Sequence, residues 1–105
     1  MAAIFHILFY TMNPSKPILY FAHANGFPAA CYHAFFAPLE ARYEVKYLPV
    51  LAMNPDYPVT PTWHLLVDEV IADITAQADG NKVVGVGHSF GSLLLLMASY
   101  KRPEL

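Results

Sequence analysis

The sequence predicts an α/β protein with a doubly wound, mostly parallel sheet. Short runs of β-branched and aromatic residues alternate with segments whose apolar residues recur at helical spacing, as is typical of βαβ crossovers. Residues 82–87 form a predicted strand without polar alternation, as expected for a strand buried on both faces of a parallel sheet. Only 13% of the residues are charged, against roughly 25% in soluble domains. This composition predicts a chain that packs against neighbours it does not itself contain.

Four strands are predicted in a chain that is long enough for one small domain. Residues 4–11 and 18–22 are rich in β-branched and aromatic side chains, and the proline-containing segment 13–17 separates them as a turn. Residues 43–50 are interpreted as a third strand and residues 82–87 as the fourth.

Two shorter helices are predicted on either side of a longer one. The first of these helices lies near residues 32–39 and contains Pro38, which either interrupts it or starts a fresh turn of it. The last helix, residues 92–100, is almost entirely apolar, and two cations followed by a proline end it at residues 101–103. The first helix has one apolar face at i, i+3, i+4 and i+7, formed by Tyr32, Phe35, Phe36 and Leu39.

The middle helix has the clearest pattern. It follows a loop with three prolines, residues 51–61. Thr60 and Pro61 are its predicted N-cap and first position, and Gly80 is its predicted stop. The acids predicted to form its solvated face are Asp68, Glu69 and Asp73. The continuous apolar stripe on the opposite side consists of Trp63, Leu66, Val67, Val70, Ile71, Ile74 and Ala78.

The composition argues against several classes of protein. A net charge of −2 provides no electrostatic footprint for nucleic acid or for an anionic membrane. The apolar run at residues 1–12 lacks the charge and cleavage pattern of an export signal, and it is shorter than the roughly 20 residues that span a bilayer. The single cysteine, Cys31, cannot form an internal disulfide. These features predict a cytoplasmic location.

The strongest chemical signal is a G-x-S-x-G pattern between the buried strand and the last helix. Its serine is Ser89, its neighbours are His88 and Phe90, and Gly87 and Gly91 flank them. A sharp strand-to-helix turn lifts the serine hydroxyl clear of the sheet, and the flanking glycines let the backbones pass closely. The turn also sets the positive end of the helix beneath an oxygen that becomes negative during acyl transfer. The pattern therefore predicts that Ser89 is a nucleophile.

Two alternatives compete with the nucleophile. In the first, the glycines only pack the strand against the helix, and Ser89 caps that helix. In the second, Gly85, Gly87 and Gly91 form a loosened dinucleotide-binding loop. Such a loop normally follows the first strand of its unit, whereas several predicted strands precede this one.

A second signal directly follows the strand at residues 18–22. Acyl transfer needs two backbone N–H donors, one after the nucleophile, here Phe90, and one from a loop after an earlier strand. A small-residue turn, Ala24 to Gly26, can present the second donor, although a plain tight turn explains these residues equally well. The turn indicates a second N–H donor only because the serine pattern occurs in the same sequence.

Together these motifs resemble the first half of the α/β-hydrolase family, an incomplete α/β-hydrolase fold in which residues 1–105 are the N-terminal part of one domain. Residues 21–36 especially resemble a group of bacterial hydrolases. In the family, a His-Gly-x motif follows the third strand, and x donates to the oxyanion hole. His23 and Asn25 match the first and last positions, Ala24 stands where glycine is usual, and Gly26 follows. The resemblance thus implies that Asn25 and Phe90 are the donors.

This chain departs from the family pattern in two places. The Asp-x-x-Gly-x-Gly loop that often follows the fourth strand is missing from residues 48–52. The family order is nucleophile, acid, histidine, yet the 16 residues after Ser89 contain one acid, Glu104, and no histidine. The triad is not completed in the family manner.

The five histidines that are present are expected to have structural roles. His88 adjoins Ser89, so its side chain should point away from the serine pocket, and His23 should support the oxyanion loop. None of them shows metal-ligand spacing, so no metal is predicted. His33 and His64 are expected at surface or capping positions, and His6 has no more specific assignment.

The resemblance implies a serine hydrolase that cleaves a small-molecule ester, thioester or amide through an acyl-enzyme at Ser89, without a cofactor. Lacking the acid and histidine, the 105-residue chain is expected to be inactive, and the open edge of the strand at residues 83–86 is expected to promote self-association. The alternative is a non-catalytic α/β-hydrolase-like binding protein or the product of a degraded gene. Phe27, Tyr32 and Phe35 either line the mouth of the pocket or belong to the core.

Overall fold

The computed structural model describes residues 16–105. The predicted strand at residues 4–11, His6 and most of the predicted turn at 13–17 lie outside the described residues. The described elements follow one another as strand β1 (Ile18–Ala22), a 3-10 turn (Ala29–Tyr32), helix α1 (His33–Leu39), β2 (Glu44–Tyr47), α2 (His64–Ala78), β3 (Val83–Gly87) and α3 (Phe90–Lys101).

The three strands form one parallel sheet in the order β2-β1-β3. In this sheet Ile18 of β1 is in register with Glu44 of β2 on one side and with Val83 of β3 on the other. All five residues of the central strand β1 are buried. The predicted parallel α/β architecture, incomplete as a sheet, is therefore confirmed.

Helices cover both faces of this sheet because alternate residues of β1 point to opposite sides. Tyr20 and Ala22 pack with α2 and α3, where Val70 and Leu94 are fully enclosed. On the other face, Leu19 and Phe21 pack with Phe36 of α1. Helix α1 thus lies on one side of the sheet, and α2 and α3 lie on the other.

A polar cluster fastens α2 to the sheet. The Tyr20 hydroxyl donates to Asp73 Oδ2 at 2.6 Å, and Gln77 Nε2 donates to the same oxygen at 2.8 Å and to the Tyr47 carbonyl at 3.2 Å. Burial, together with the hydrogen bond to Asp73, raises the pKa of the Tyr20 phenol. The phenol therefore remains a protonated donor, and its bond fixes the rotation of α2 over β1.

The beginning of α2 differs from the sequence prediction. Thr60 and Pro61 do not start the helix, because the Trp63 N–H closes a turn on the Thr60 carbonyl at 3.0 Å and Trp63 itself is left-handed, with φ 60°. The helix therefore begins at His64. Its predicted end is confirmed, because Asp79 and Gly80 both have positive φ after Ala78.

Two other predicted boundaries also shift. The strand predicted at residues 43–50 is shorter, with β2 ending at Tyr47. Helix α3 begins at Phe90, two residues before the predicted start, because the turn at Ser89 leads directly into it. Pro38 lies inside the last turn of α1 and does not interrupt it, since few backbone bonds remain to be lost there.

Strand β3 was predicted to be buried on both faces, and this prediction is wrong for the described residues. Val84 is 47% exposed. Among residues 16–105, β3 pairs only with β1, and α1 packs over the other two strands and leaves Val84 uncovered. Nearby, α3 exposes a stripe of large apolar side chains formed by Leu93, Leu96, Met97 and Tyr100.

Candidate active site

The site is at the carboxyl ends of β1 and β3, where the chain leaves two neighbouring strands in opposite directions. The segment after β1 runs to α1 on one face, whereas the turn after β3 leads into α3 on the other face. In open α/β sheets, ligands usually bind in the crevice at such a divergence. Both sequence signals, residues 23–28 and residues 87–91, fall at this position.

Ser89 occupies the sharp turn between β3 and α3. Its backbone has φ 52° and ψ −116°, a conformation that non-glycine residues rarely adopt. The preceding His88 N–H donates to the Ala22 carbonyl at 3.0 Å, so the bond pattern that joins β3 to β1 continues to the residue before the serine. Strain of this kind costs about 1–3 kcal/mol and persists only where the surrounding structure enforces it.

The two glycines of the pattern are required by close backbone contacts. A Cβ on Gly87 would lie 2.5 Å from the Ser92 Cα. A Cβ on Gly91 would overlap the carbonyl oxygens of Ala22 and His23. A side chain at Gly87 would push α3 away from β3, and one at Gly91 would push α3 away from β1, so the tight turn depends on glycine at both.

The Ser89 side chain is exposed and does not cap α3. Within residues 16–105, its hydroxyl forms no hydrogen bond, and it is Ser92 Oγ that donates, at 2.5 Å, to the Ser89 carbonyl. In the described residues, Ser89 therefore does not form the side-chain hydrogen bond that would make it the cap of α3. The hydroxyl lies at the N-terminus of α3, where the helix dipole favours negative charge.

Residues 23–28, called the oxyanion loop below after the role predicted for them from the sequence, turn sharply beside the turn at Ser89. The Phe27 N–H donates to the Ala24 carbonyl at 3.1 Å, and Gly26 has φ 79°, which glycine adopts without strain. Asn25, at the tip of the turn, is exposed. Among the described residues, none accepts a hydrogen bond from the N–H of Asn25 or from that of Phe90. Both backbone donors are therefore available to a ligand.

His23 is a buried support of the oxyanion loop. Its ring is 3% exposed. Nδ1 lies 2.7 Å from the Ala24 carbonyl, and Nε2 accepts from the Leu51 N–H at 2.7 Å. These partners require a neutral ring with its hydrogen on Nδ1. His23 therefore connects the oxyanion loop to the segment after β2 and has no nitrogen left for proton transfer.

Glu69 of α2 holds the adjacent amide of that segment. Its Oε1 accepts from the Ala52 N–H at 3.4 Å, and Ala52 has a positive φ of 66°. Burial raises the pKa of the Glu69 carboxyl, the Ala52 N–H opposes that rise, and the charge of Asp73 adds to it. Sequence analysis placed Glu69 on a solvated helix face, and that interpretation is wrong because the residue is 4% exposed.

Tyr32 connects the oxyanion loop to the turn at Ser89. Its hydroxyl accepts from the Ala24 N–H at 3.0 Å and lies 2.9 Å from His88 Nδ1. The sequence placed Tyr32 on an apolar helix face and either at the mouth of the pocket or in the core, and no local pattern could have revealed its pairing with His88, 56 residues away. The neighbouring Phe27 and Phe35 are 58% and 45% exposed.

None of the four described histidines forms a hydrogen bond with Ser89. His64 Nδ1 is bonded to the hydroxyls of Thr60 and Thr62, and His33 is exposed. Across residues 16–105, no three His, Cys, Asp or Glu side chains converge as a metal site would require. No helix in this part of the chain has the length and apolar character needed to cross a membrane.

Trp63 forms one side of the site. Its indole packs edge-to-face against the ring of Phe90, with 5.1 Å between the ring centroids. The backbone of Trp63, directly before α2, is left-handed, with φ 60°. Phe90, the residue after the serine, is therefore held by its place in α3 and also by its contact with Trp63, which lies outside the turn.

Comparison with known proteins identifies one family. The family model described as the alpha/beta hydrolase family matches residues 19–103, which include all three described strands apart from Ile18, the first residue of β1. Neither the curated proteins nor the solved structures yielded a significant match.

Proposed function

This chain belongs to the alpha/beta hydrolase family, and from that premise we propose that it is part of a serine hydrolase whose nucleophile is Ser89. The proposed substrates are small-molecule esters, thioesters or amides. The observation that carries the proposal is the backbone of Ser89, with φ 52° and ψ −116° at the start of α3. This strained conformation presents an exposed hydroxyl at the start of α3, and the N–H groups of Phe90 and Asn25, which have no partner among the described residues, are the proposed donors for acyl transfer.

In the proposed reaction, the Ser89 oxygen attacks the carbonyl carbon of the substrate. A histidine outside residues 1–105 takes the hydroxyl proton and returns it to the leaving group. The N–H groups of Asn25 and Phe90 hold the negative oxygen of the tetrahedral intermediate. Water then attacks the acyl-enzyme, releases the acid and restores the serine hydroxyl.

None of the described histidines forms a hydrogen bond with Ser89, and we propose that the base lies outside this sequence and that residues 1–105 are the N-terminal part of one domain. No histidine follows Ser89 in the sequence, and His23 and His88 have other partners. Without a base, a serine hydroxyl is a poor nucleophile at pH 7. The chain alone should therefore show little or no turnover of p-nitrophenyl acetate.

The test replaces the missing base with free imidazole. We expect p-nitrophenyl acetate with imidazole to acetylate Ser89, and peptide mass mapping to find the acetyl group there and not in Ser89→Ala. Ser99→Ala is the matched control, because Ser99 is an exposed serine of the same helix whose Oγ bonds only the Leu96 carbonyl. Absence of acetyl-Ser89, or equal labelling of Ser99, would count against the nucleophile.

The unpartnered hydroxyl of Ser89 also favours a second candidate, a non-catalytic member of the family that binds a ligand in the crevice. The coding sequence beyond codon 105 separates the two. A further strand, an Asp after a later strand and a His in a terminal loop would favour the enzyme, whereas a stop codon would favour the binding protein or a degraded gene.

A further inference from the structure

We propose that Tyr32 is a positioning residue that sets the geometry of the oxyanion hole; the inference rests on the function proposed above. Its hydroxyl lies between the Ala24 N–H at 3.0 Å and His88 Nδ1 at 2.9 Å. Ala24 directly precedes Asn25, one donor of the hole, and His88 directly precedes Ser89. A single side chain thus holds the two separate segments that must face each other.

The position of the Tyr32 hydroxyl is fixed by the packing of its ring. The ring lies 4.5 Å from that of Phe21, stacks on Phe36 at 6.2 Å and meets the His88 imidazole edge-to-face at 5.9 Å, all measured between centroids. Phe21 belongs to the buried central strand, and Phe36 is the buried residue of α1. Because the ring is held by the core, the hydroxyl provides a rigid reference for both segments.

The bond to Ala24 also selects which amide of the loop can donate to a substrate. The Ala24 N–H is occupied by Tyr32, whereas the N–H of Asn25 has no partner among the described residues. A developing oxyanion therefore meets one donor from the loop and one from Phe90. Loss of the hydroxyl would free the Ala24 N–H and let the loop shift relative to the serine.

The hydrogen-bond arrangement suggests a tautomer for His88. The Tyr32 oxygen accepts from Ala24, and we infer that its own hydrogen is donated to His88 Nδ1, the other partner of the hydroxyl among the described residues. His88 then carries its hydrogen on Nε2, the opposite of the tautomer assigned to His23. This difference gives a spectroscopic signature that packing alone would not produce.

The experiment compares Tyr32→Phe with Tyr47→Phe in the 105-residue chain. Both variants keep the aromatic ring and remove one hydroxyl. Tyr47 stacks on Phe36 at 5.0 Å in the same cluster, and its hydroxyl has no partner among residues 16–105. The measurements are amide hydrogen exchange at Ala24, the nitrogen-15 shifts of the His88 ring, and the rate of imidazole-assisted acetylation of Ser89.

For Tyr32→Phe we expect exchange at Ala24 to rise by at least about fivefold, since one hydrogen bond is lost. The Nε2–H tautomer of His88 should lose its dominance, and acetylation should slow by roughly tenfold or more. Tyr47→Phe should change none of these. Unchanged exchange and tautomer in Tyr32→Phe, or a wild-type His88 protonated on Nδ1, would overturn the proposal.

The acetylation measurement separates this inference from the function on which it rests. If wild-type Ser89 is acetylated and Tyr32→Phe reacts as fast as Tyr47→Phe, the positioning role is refuted while the nucleophile stands. If wild-type Ser89 is never acetylated, the proposed function fails. The exchange and nitrogen-15 measurements then still decide whether Tyr32 couples the two segments.

Discussion

Replacing Gly91 with alanine should separate α3 from the central strand. The new Cβ would overlap the carbonyl oxygens of Ala22 and His23. Both are backbone atoms in a buried segment, so neither can rotate away as a flexible side chain would. Relief requires α3 to move by about an ångström, and overpacking of this kind costs about 3 kcal/mol, the upper part of its usual range.

Urea unfolding followed by the fluorescence of Trp63, the sole tryptophan, measures this cost. With a denaturant slope of about 1.5 kcal/mol per molar, the midpoint of Gly91→Ala should fall by about 2 M. Gly85→Ala is the matched control, because its Cβ would meet Leu95 Cδ1 at an ordinary 3.6 Å. A Gly91→Ala midpoint within experimental error of wild type, or an equal loss in Gly85→Ala, would refute the argument from backbone contact.

Three further predictions concern the core, the buried acid and the exposed edge. Leu94→Ala empties a fully enclosed position and should lower the free energy of unfolding by about 3 kcal/mol or more, measured by the same urea titration. Burial raises the pKa of Glu69, so its carboxylate opposes folding above that raised pKa. Glu69→Gln should therefore raise the melting temperature at pH 7 by a few degrees, and the gain should vanish below the ordinary pKa of 4.5; an equal gain at both pH values would contradict this. The wild-type chain should self-associate in light scattering, and Val84→Lys on the open edge of β3 should reduce this whereas Val59→Lys, on an exposed loop, should not; a monodisperse wild-type monomer would be the contrary result.

Local patterns in the sequence predicted the elements that build the site. The glycines around Ser89 and the apolar strand before it indicated a tight strand-to-helix turn, and Gly80 indicated the end of α2. These features depend on neighbours within a few residues, so the sequence carries them directly.

The contacts that position the site could not be predicted in this way. His23 and Leu51 are 28 residues apart, and Tyr32 and His88 are 56 apart. Their meeting is determined by the order of the strands in the sheet. The left-handed turn at Trp63 was missed for a related reason, because packing against Phe90 favours it where local propensity would place a helix start.

In the segment after β2, buried side chains of other elements hold the backbone, while some of the segment's own side chains are exposed to solvent. The amides of Leu51 and Ala52 are anchored by buried side chains from other elements, while Val50 and Met53 are 42% and 75% exposed. Exchanges at these two exposed positions therefore leave the anchors intact. This segment can vary in sequence at the two exposed positions, under selection or in a mutant library, without loss of the fold.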